Sequence, residues 1–226
     1  RTMAGGVSPM TLDEQRERMV QDQLLARGIT DERLLAAFRK VPRHRFVPPE
    51  FEAQAYTDHP LPIGAGQTIS QPYMVALMTG RLGLQGHERV LEIGAGSGYQ
   101  AAILAELTLE VFSVERVPDL LRAAAERLSA LGCLNVHFTA GNGSLGWPQH
   151  APYDAILVTA AAPDVPEPLL AQLADGGTMV LPIGPQEGQM LVEVRKRHGI
   201  VTRREVAGCV FVPLVGRHGW PPESVA

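Results

Sequence analysis

From residue 71 onward the apolar positions alternate between two spacings, and this predicts helices and strands in turn. A first helix is indicated after Pro72 by residues at helical spacing: Met74, Leu77, Met78 and Leu82. Beyond it, continuous apolar runs predict strands at 89–93, 110–115, 136–140, 155–159 and 178–182, and the segments between them predict helices at 98–107, 118–131 and 167–173. Apolar strands that alternate with helices indicate a parallel sheet covered on both faces.

The two ends of the chain depart from this rhythm. Thr11 and Glu14 form a capping-box pattern, which predicts a helix that runs to Arg27 and ends at Gly28. A second short helix is predicted at 31–39. At the other end, the runs 190–197 and 205–212 predict a pair of antiparallel strands turned near Gly199.

These elements predict a doubly wound α/β fold. Its sheet is mostly parallel and Rossmann-like, with helices on both faces and a terminal antiparallel strand pair. We expect one domain over 11–226, made of N-terminal helices and a lid loop (11–70), an α/β core (71–188), and the strand pair and tail (189–226). The proline-rich stretch 41–69 carries buried-type residues, so an ordered lid is expected. Residues 1–10 are expected to be a disordered leader or cloning remnant.

The composition limits the classes of partner. The chain has 226 residues, of which 45% are hydrophobic, and a formal net charge of −4, so no nucleic-acid partner is expected. No apolar run approaches the ~20 residues of a membrane span. Cys133 and Cys209 fit neither a disulfide framework nor a metal site, and the seven histidines show no paired metal spacing. A cytoplasmic monomer without metal is predicted.

A glycine turn follows the first strand of the core. Gly94, Gly96 and Gly98 allow a tight turn, close approach of the backbone to a ligand, and close packing where the next helix begins. Glu115 ends the second strand about 20 residues later, where a carboxylate can accept hydrogen bonds from both ribose hydroxyls. The pattern predicts a cofactor that contains a nucleoside.

Two further positions narrow the choice of cofactor. The carboxylate of Glu92, just before the turn, would repel a pyrophosphate and attract the α-ammonium of a methionine moiety, which favours S-adenosylmethionine over NAD. Asn142 and Gly143 follow the third strand, where an adenine edge would lie. Asn142 is either a partner of the adenine amine or a turn residue between two glycines.

Upstream of the turn lies an uncharged loop that bears hydroxyl groups. It runs from Gly66 to Pro72, and Gln67, Thr68 and Ile69 are expected to lie over the cofactor. Ser70 is expected to be the N-cap of the helix that follows. The hydroxyls of Thr68 and Ser70, with helix-start amides, could hold a carboxylate.

These stretches together resemble one family, the protein-L-isoaspartate O-methyltransferases, over roughly residues 12–216. The resemblance is carried by the blocks 66–72, 91–98, 151–156, 160–163, 181–184 and 211–214. It implies methyl transfer from S-adenosylmethionine to the free α-carboxylate of L-isoaspartyl residues in damaged proteins, with Ser70 as the active-site serine. We also predict that Val212, Pro213 and Leu214 end the last strand and pair with a peptide substrate; strand-end packing is the alternative.

The chain departs from the family pattern at two positions. The family usually has Asp where Asn142 stands, and a larger residue where Ala65 stands. Two other functions remain open at this point. One is methylation of a small carboxylic acid on the same fold, and the other is a cofactor-binding adaptor that has lost turnover. A carboxylate substrate is already ionised at pH 7 and needs no general base. The absence of His, Asp and Glu from the loop therefore fits both the isoaspartyl and the small-acid function.

Overall fold

The computed structural model describes residues 9–222. Seven strands form the main sheet in the order β5-β4-β3-β6-β7-β8-β9, and β3 to β7 are parallel. Their bounds are β3 (Arg89–Ile93), β4 (Glu110–Glu115), β5 (Val136–Ala140), β6 (Tyr153–Val158), β7 (Leu173–Ile183), β8 (Gln189–Arg197) and β9 (Ile200–Cys209), and a separate hairpin pairs β1 (Leu61–Gly64) with β2 (Gln67–Ile69). Strands β7, β8 and β9 pair antiparallel, so the predicted fold class is confirmed.

The described part of the chain contains six α-helices. They are α1 (Leu12–Met19), α2 (Glu32–Lys40), α3 (Pro72–Leu82), α4 (Tyr99–Ala105), α5 (Pro118–Ala130) and α6 (Glu167–Gln172). Alternate residues of each strand point to opposite faces, so Val90 and Leu91 enter two different hydrophobic cores. The larger core lies under α1 to α4, and the smaller one lies under α6. None of the described helices is long and apolar enough to cross a bilayer.

The N-terminal helix follows the sequence prediction with one change. The Thr11 amide donates to the Glu14 carboxylate at 2.7 Å and the Glu14 amide donates to Thr11 Oγ1 at 3.2 Å, which completes the capping box. After α1 the backbone passes through a π-helical turn at Val20–Leu24 and a 3₁₀ turn at Leu25–Arg27. Gly28 ends the segment with φ of +87°. Of the predicted leader, residues 1–8 lie outside the described residues, as do 223–226.

Two sequence predictions about local structure were wrong. Ser70 does not cap α3: Gln71 is the N-cap residue, because Pro72 takes the first helical position, and no side chain caps the helix. The last strand ends at Cys209 and does not reach Val212. The side chain of Gln189 accepts the Phe211 amide at 2.8 Å and Pro213 has no amide proton, so the β8–β9 ladder cannot continue there.

Candidate active site

A cleft lies at the carboxyl ends of β3, β4 and β6. Strand β3 pairs with β4 on one side and with β6 on the other, so the order of the strands reverses here. Such a reversal leaves a crevice above the strand ends, which is where open α/β sheets bind their ligands. The wall combines the turn after β3, the end of β4, the hairpin strand β2, the pocket-facing side of α3 and residues 212–215.

The glycine turn is held to both neighbouring strands. The Gly94 amide donates to Val114 O at 2.9 Å, and Gly94 has φ of +94°. The hydroxyl of Thr159, directly after β6, lies 2.9 Å from Ile93 O and 2.8 Å from Gly94 O, and shares its one proton between these two acceptors. A side chain at Gly94 would collide with this hydroxyl. Glycine is therefore required here both by the backbone conformation and by the close approach of Thr159.

The other two glycines of the turn serve different contacts. A Cβ at Gly96 would lie 3.4 Å from Ile63 Cδ1, so the β1–β2 hairpin covers the turn closely. A Cβ at Gly98 would lie 2.8 Å from Leu128 Cδ1 of α5, and Gly98 is not part of the cleft wall. Gly98 thus allows α4 to pack tightly against α5, whereas Gly96 allows the hairpin to approach the turn.

Glu115 presents its carboxylate at the end of β4. Its two oxygens accept the Gly96 amide at 2.9 Å and the Val117 amide at 2.8 Å, and only 6% of the residue is exposed. These donors fix the orientation of the carboxylate while each oxygen keeps a lone pair for another donor. A ribose diol supplies two such donors, so this geometry suits the predicted ribose contact.

Glu92 lies elsewhere than expected. It is fully buried within β3, its carboxylate accepts the Ser113 hydroxyl, and its other oxygen has no partner among the described residues. Burial raises the pKa of Glu92 to about 8, the hydroxyl of Ser113 opposes that rise, and the nearby charge of Glu115 adds to it. Glu92 is not part of the cleft wall, so the structure does not bring it to the predicted ammonium position.

The Asn142 turn adjoins the cleft through its neighbour Gly143. Asn142 Oδ1 accepts the Ser144 amide at 3.0 Å and the Ser144 hydroxyl at 2.7 Å. The backbone amide can only donate, so the oxygen of Asn142 must face Ser144 and is not free for an adenine amine. Gly143 lies in the cleft wall, and a Cβ there would come within 2.5 Å of Ile93 Cγ2. This geometry matches the turn role that the sequence left open for Asn142.

The hairpin brings the hydroxyl loop to the cleft. Gln67, Thr68 and Ile69 form β2, Ser70 follows it, and all four contribute to the wall. The hairpin turn at residues 64–66 has three successive positive φ angles, and at Ala65 φ is +51° although it carries a side chain. The loop, which precedes the glycine turn in the chain, therefore lines the same cleft as that turn.

Residues 212–214 reach the cleft by a different route from that predicted. The Ala161 amide donates to Val212 O and the Leu214 amide donates to Ala161 O, both at 2.8 Å. Trp220 turns the chain back and donates its indole N–H to Ala161 O at 3.1 Å. Val212, Pro213 and Leu214 consequently line the cleft as a segment paired with the loop after β6.

Comparison with known proteins places this site in a family. Over residues 14–219 the chain matches the sequence profile of the family described as protein-L-isoaspartate(D-aspartate) O-methyltransferase. The chain belongs to this family. A protein-L-isoaspartate O-methyltransferase of Methanoculleus marisnigri is 56% identical over 209 residues, which are 92% of this chain and 95% of that protein. Protein-L-isoaspartate O-methyltransferase 2 of Geotalea uraniireducens is 56% identical over 216 residues, 95% of this chain and 100% of that protein.

Solved structures of the family have the same fold. One protein-L-isoaspartate O-methyltransferase superposes with a TM-score of 0.82 at 31% identity, covering 90% of this chain and 67% of that one. Another, from Plasmodium falciparum and solved with S-adenosyl-L-homocysteine, gives 0.78 at 28% identity over 88% of this chain and 98% of that one. The chain is thus an S-adenosylmethionine-dependent methyltransferase of isoaspartyl residues, and the predicted family, activity and cofactor are confirmed.

Several residues of this methyltransferase cleft escaped sequence reasoning. Thr159, which locks the glycine turn, is a polar residue directly after an apolar strand, and that position at the carboxyl edge was the available signal. Val75 and Met78 of α3, together with Gln100 of α4, also line the cleft. The helical spacing of Met78 indicated core packing, and nothing local in the sequence distinguishes a core position from a cleft wall. Residues 9–222 contain no cluster of metal-ligating side chains.

Proposed function

We propose that Thr68 and Ser70 hold the free α-carboxylate of the isoaspartyl residue in line with the methyl group of S-adenosylmethionine. The observation that carries this proposal is the character of the wall on the hairpin side, which bears hydroxyl groups and no charge. The charged residues of the wall are Glu115 and Arg116, at the end of β4. An anionic side chain beside Ser70 would repel the substrate, whereas hydroxyl groups can donate to it.

The chemistry needs alignment more than activation. An α-carboxylate has a pKa near 3.5, so it is already anionic at pH 7 and needs no general base. Its oxygen attacks the methyl carbon of the sulfonium group, the carbon–sulfur bond breaks with its electron pair going to sulfur, and S-adenosylhomocysteine and a methyl ester result. The residues of the cleft contribute by orienting the carboxylate and excluding water.

For the cofactor, we propose that Gly94, Gly96 and Glu115 bind the adenosine part while Gln67, Thr68 and Ile69 cover it. Gly98, Glu92 and Asn142 lie outside the wall and would not contact the cofactor directly, whereas Gly143 would adjoin the base. The peptide would lie along Val212, Pro213 and Leu214. Val212 O and the Leu214 amide are already paired with Ala161, so the Val212 amide and Pro213 O are the groups left for an extended peptide.

We also propose that the enzyme works as a cytoplasmic monomer without nucleic acid. One chain supplies every wall of the cleft, and the net charge is −4. The two cysteines are unpaired, which suits a reducing compartment. Size-exclusion chromatography with light scattering checks the oligomeric state.

Replacing Ser70 with alanine tests the carboxylate proposal. Ser70→Ala should lower kcat/KM for an isoaspartyl peptide by roughly 10- to 150-fold, because one hydrogen bond to a charged group is lost. Affinity for S-adenosylhomocysteine should stay nearly unchanged. The rate of the chemical step should remain flat from about pH 6 to 8, since no base of the enzyme titrates in that step.

The assay uses radiolabelled S-adenosylmethionine with an isoaspartyl peptide, its aspartyl twin and a small carboxylic acid. Activity on the small acid alone would favour a small-molecule methyltransferase, and binding without turnover would favour an adaptor. Equal kcat/KM for Ser70→Ala and wild type would reduce Ser70 to a wall residue.

A further inference from the structure

Gln100 is a buried polar residue in the cleft wall to which nothing above gives a function. It is the second residue of α4, directly after the glycine turn and Tyr99, and only 8% of it is exposed. It lines the cleft together with Val75 and Met78 of α3. A buried amide between apolar neighbours costs free energy unless its polar atoms find partners. Its hydrogen bonds therefore indicate what this part of the cleft is built to meet.

The orientation of the Gln100 amide is determined by Thr79. The Thr79 hydroxyl donates its one proton to Val75 O at 2.7 Å, because a carbonyl oxygen can only accept. The Thr79 oxygen can then only accept from Gln100, whose Nε2 lies 2.9 Å away. With Nε2 held there, Oε1 is the free end of the amide. No residue within 9–222 donates to it, and it is not sealed from solvent as the Tyr99 hydroxyl is.

The position of the amide indicates which part of the cofactor it meets. Glu115 marks the ribose end of the cleft, at the end of β4, whereas Gln100 belongs to the α3 side, beyond the glycine turn. An adenosine placed at Glu115 directs the amino-acid part of the cofactor towards that side. This part carries a carboxylate, which only accepts hydrogen bonds, and an ammonium, which only donates. A free amide oxygen matches the ammonium, and Glu92, the charged alternative, is outside the wall.

We propose that Gln100 Oε1 accepts a hydrogen bond from the α-ammonium of S-adenosylmethionine, with Thr79 as the positioning residue that aims the amide. The proposal rests on the placement of the cofactor given above and extends it to its amino-acid end.

The test compares two ligands by calorimetry: S-adenosylhomocysteine and its analogue that lacks the α-amino group. Gln100→Leu should lower affinity for S-adenosylhomocysteine by roughly 10-fold or more, since a hydrogen bond to a charged donor is lost. The same variant should bind the analogue about as well as wild type does. Thr79→Val removes the hydrogen bond that orients the Gln100 amide. It should lower affinity for S-adenosylhomocysteine by a smaller factor than Gln100→Leu does, and should likewise leave affinity for the deaminated analogue unchanged.

A charge variant keeps the test decisive if leucine disturbs folding. Gln100→Glu should retain or increase affinity for S-adenosylhomocysteine and should weaken binding of the deaminated analogue. Equal losses for the two ligands in every variant would show that Gln100 only packs the wall, and would overturn the proposal. Unchanged affinities with a raised KM for the isoaspartyl peptide would assign the amide to the peptide and would overturn it equally. These binding measurements use no peptide turnover, so their failure leaves the Ser70 proposal standing.

Discussion

The carboxyl ends of β3 and β4 each carry a buried glutamate, and the two are built for different purposes. Glu115 is the last residue of β4, where the backbone leaves the sheet and two amides can donate to its carboxylate. Glu92 is still inside β3, paired in register with Ser113 and Leu157 on both sides. A difference of one position relative to the strand end separates a carboxylate that lines the cleft from one buried inside the sheet.

The comparison shows how two buried acids come to have different hydrogen-bond partners. Both residues are at most 6% exposed, so burial does not distinguish them. The difference lies in the free backbone donors at a strand end, which stabilise the ionised form and hold it towards the cleft. Within a strand those donors belong to the ladder, and a hydroxyl from the neighbouring strand is the partner that remains.

The glycine turn that links these strand ends should give the largest effect. Gly94→Ala should cost about 2–5 kcal/mol, divided between folding and cofactor affinity, because φ is +94° and the new methyl group meets Thr159. Calorimetry with S-adenosylhomocysteine and thermal unfolding measure the two parts. Gly132→Ala is the matched control, since φ there is +74° and nothing lies within 4 Å of the added Cβ. A loss of affinity as large in the control would mean that global stability is responsible.

The ribose end should give the next largest effect. Glu115→Ala should weaken binding of S-adenosylhomocysteine by ~1–3 kcal/mol, because charged hydrogen bonds to the ribose are lost and two backbone amides lose their acceptor. The exposed Glu126→Ala on α5 serves as a charge-matched control and should change affinity little. Unchanged affinity in Glu115→Ala would contradict the proposal that Glu115, unlike Glu92, binds the cofactor.

Glu92 should affect the free energy of unfolding and the way that this free energy depends on pH. Its folded-state pKa of about 8 lies above the unfolded value, so the stability it contributes is present at low pH and is lost as pH rises from about 4.5 through 8. Glu92→Gln cannot ionise, so it should remove this loss and be more stable than wild type at pH 9, with a smaller difference at pH 6. Urea unfolding at pH 6 and 9 measures it. If the unfolding free energies of variant and wild type changed equally with pH, the raised pKa of Glu92 would be contradicted.

The smallest effect is expected at the adenine side. In Asn142→Asp one oxygen can keep both bonds to Ser144 while the other becomes a free acceptor for the adenine amine. Affinity for S-adenosylhomocysteine should therefore stay the same or rise, by at most roughly 10-fold. A large loss in a folded variant would show that the placement of the adenine beside Gly143 is wrong.

The sequence by itself determined the parts of this protein that depend on neighbouring residues. The alternation of apolar runs determined the strands, the spacing of Gly94, Gly96 and Gly98 determined the cofactor turn, and the hydroxyl loop with the blocks around it determined the family. Such patterns act through the backbone over a few residues, so they can be read without the fold. Their limits appear where a local preference competes with a longer contact, as when Gln189 draws Phe211 away from the ladder.

Only the tertiary structure decided which distant residues share the cleft and which way their polar atoms face. Ala161 pairs with Val212 and Leu214, more than fifty residues later in the chain. This pairing brings residues 212–214 into the same cleft as the glycine turn. Thr79 on α3 accepts a hydrogen bond from Gln100 on α4, and Ser113 on β4 donates one to Glu92 on β3. Each of these contacts depends on how strands and helices pack against one another. The orientation of a buried polar group follows from its partner in space, which the order of residues does not specify.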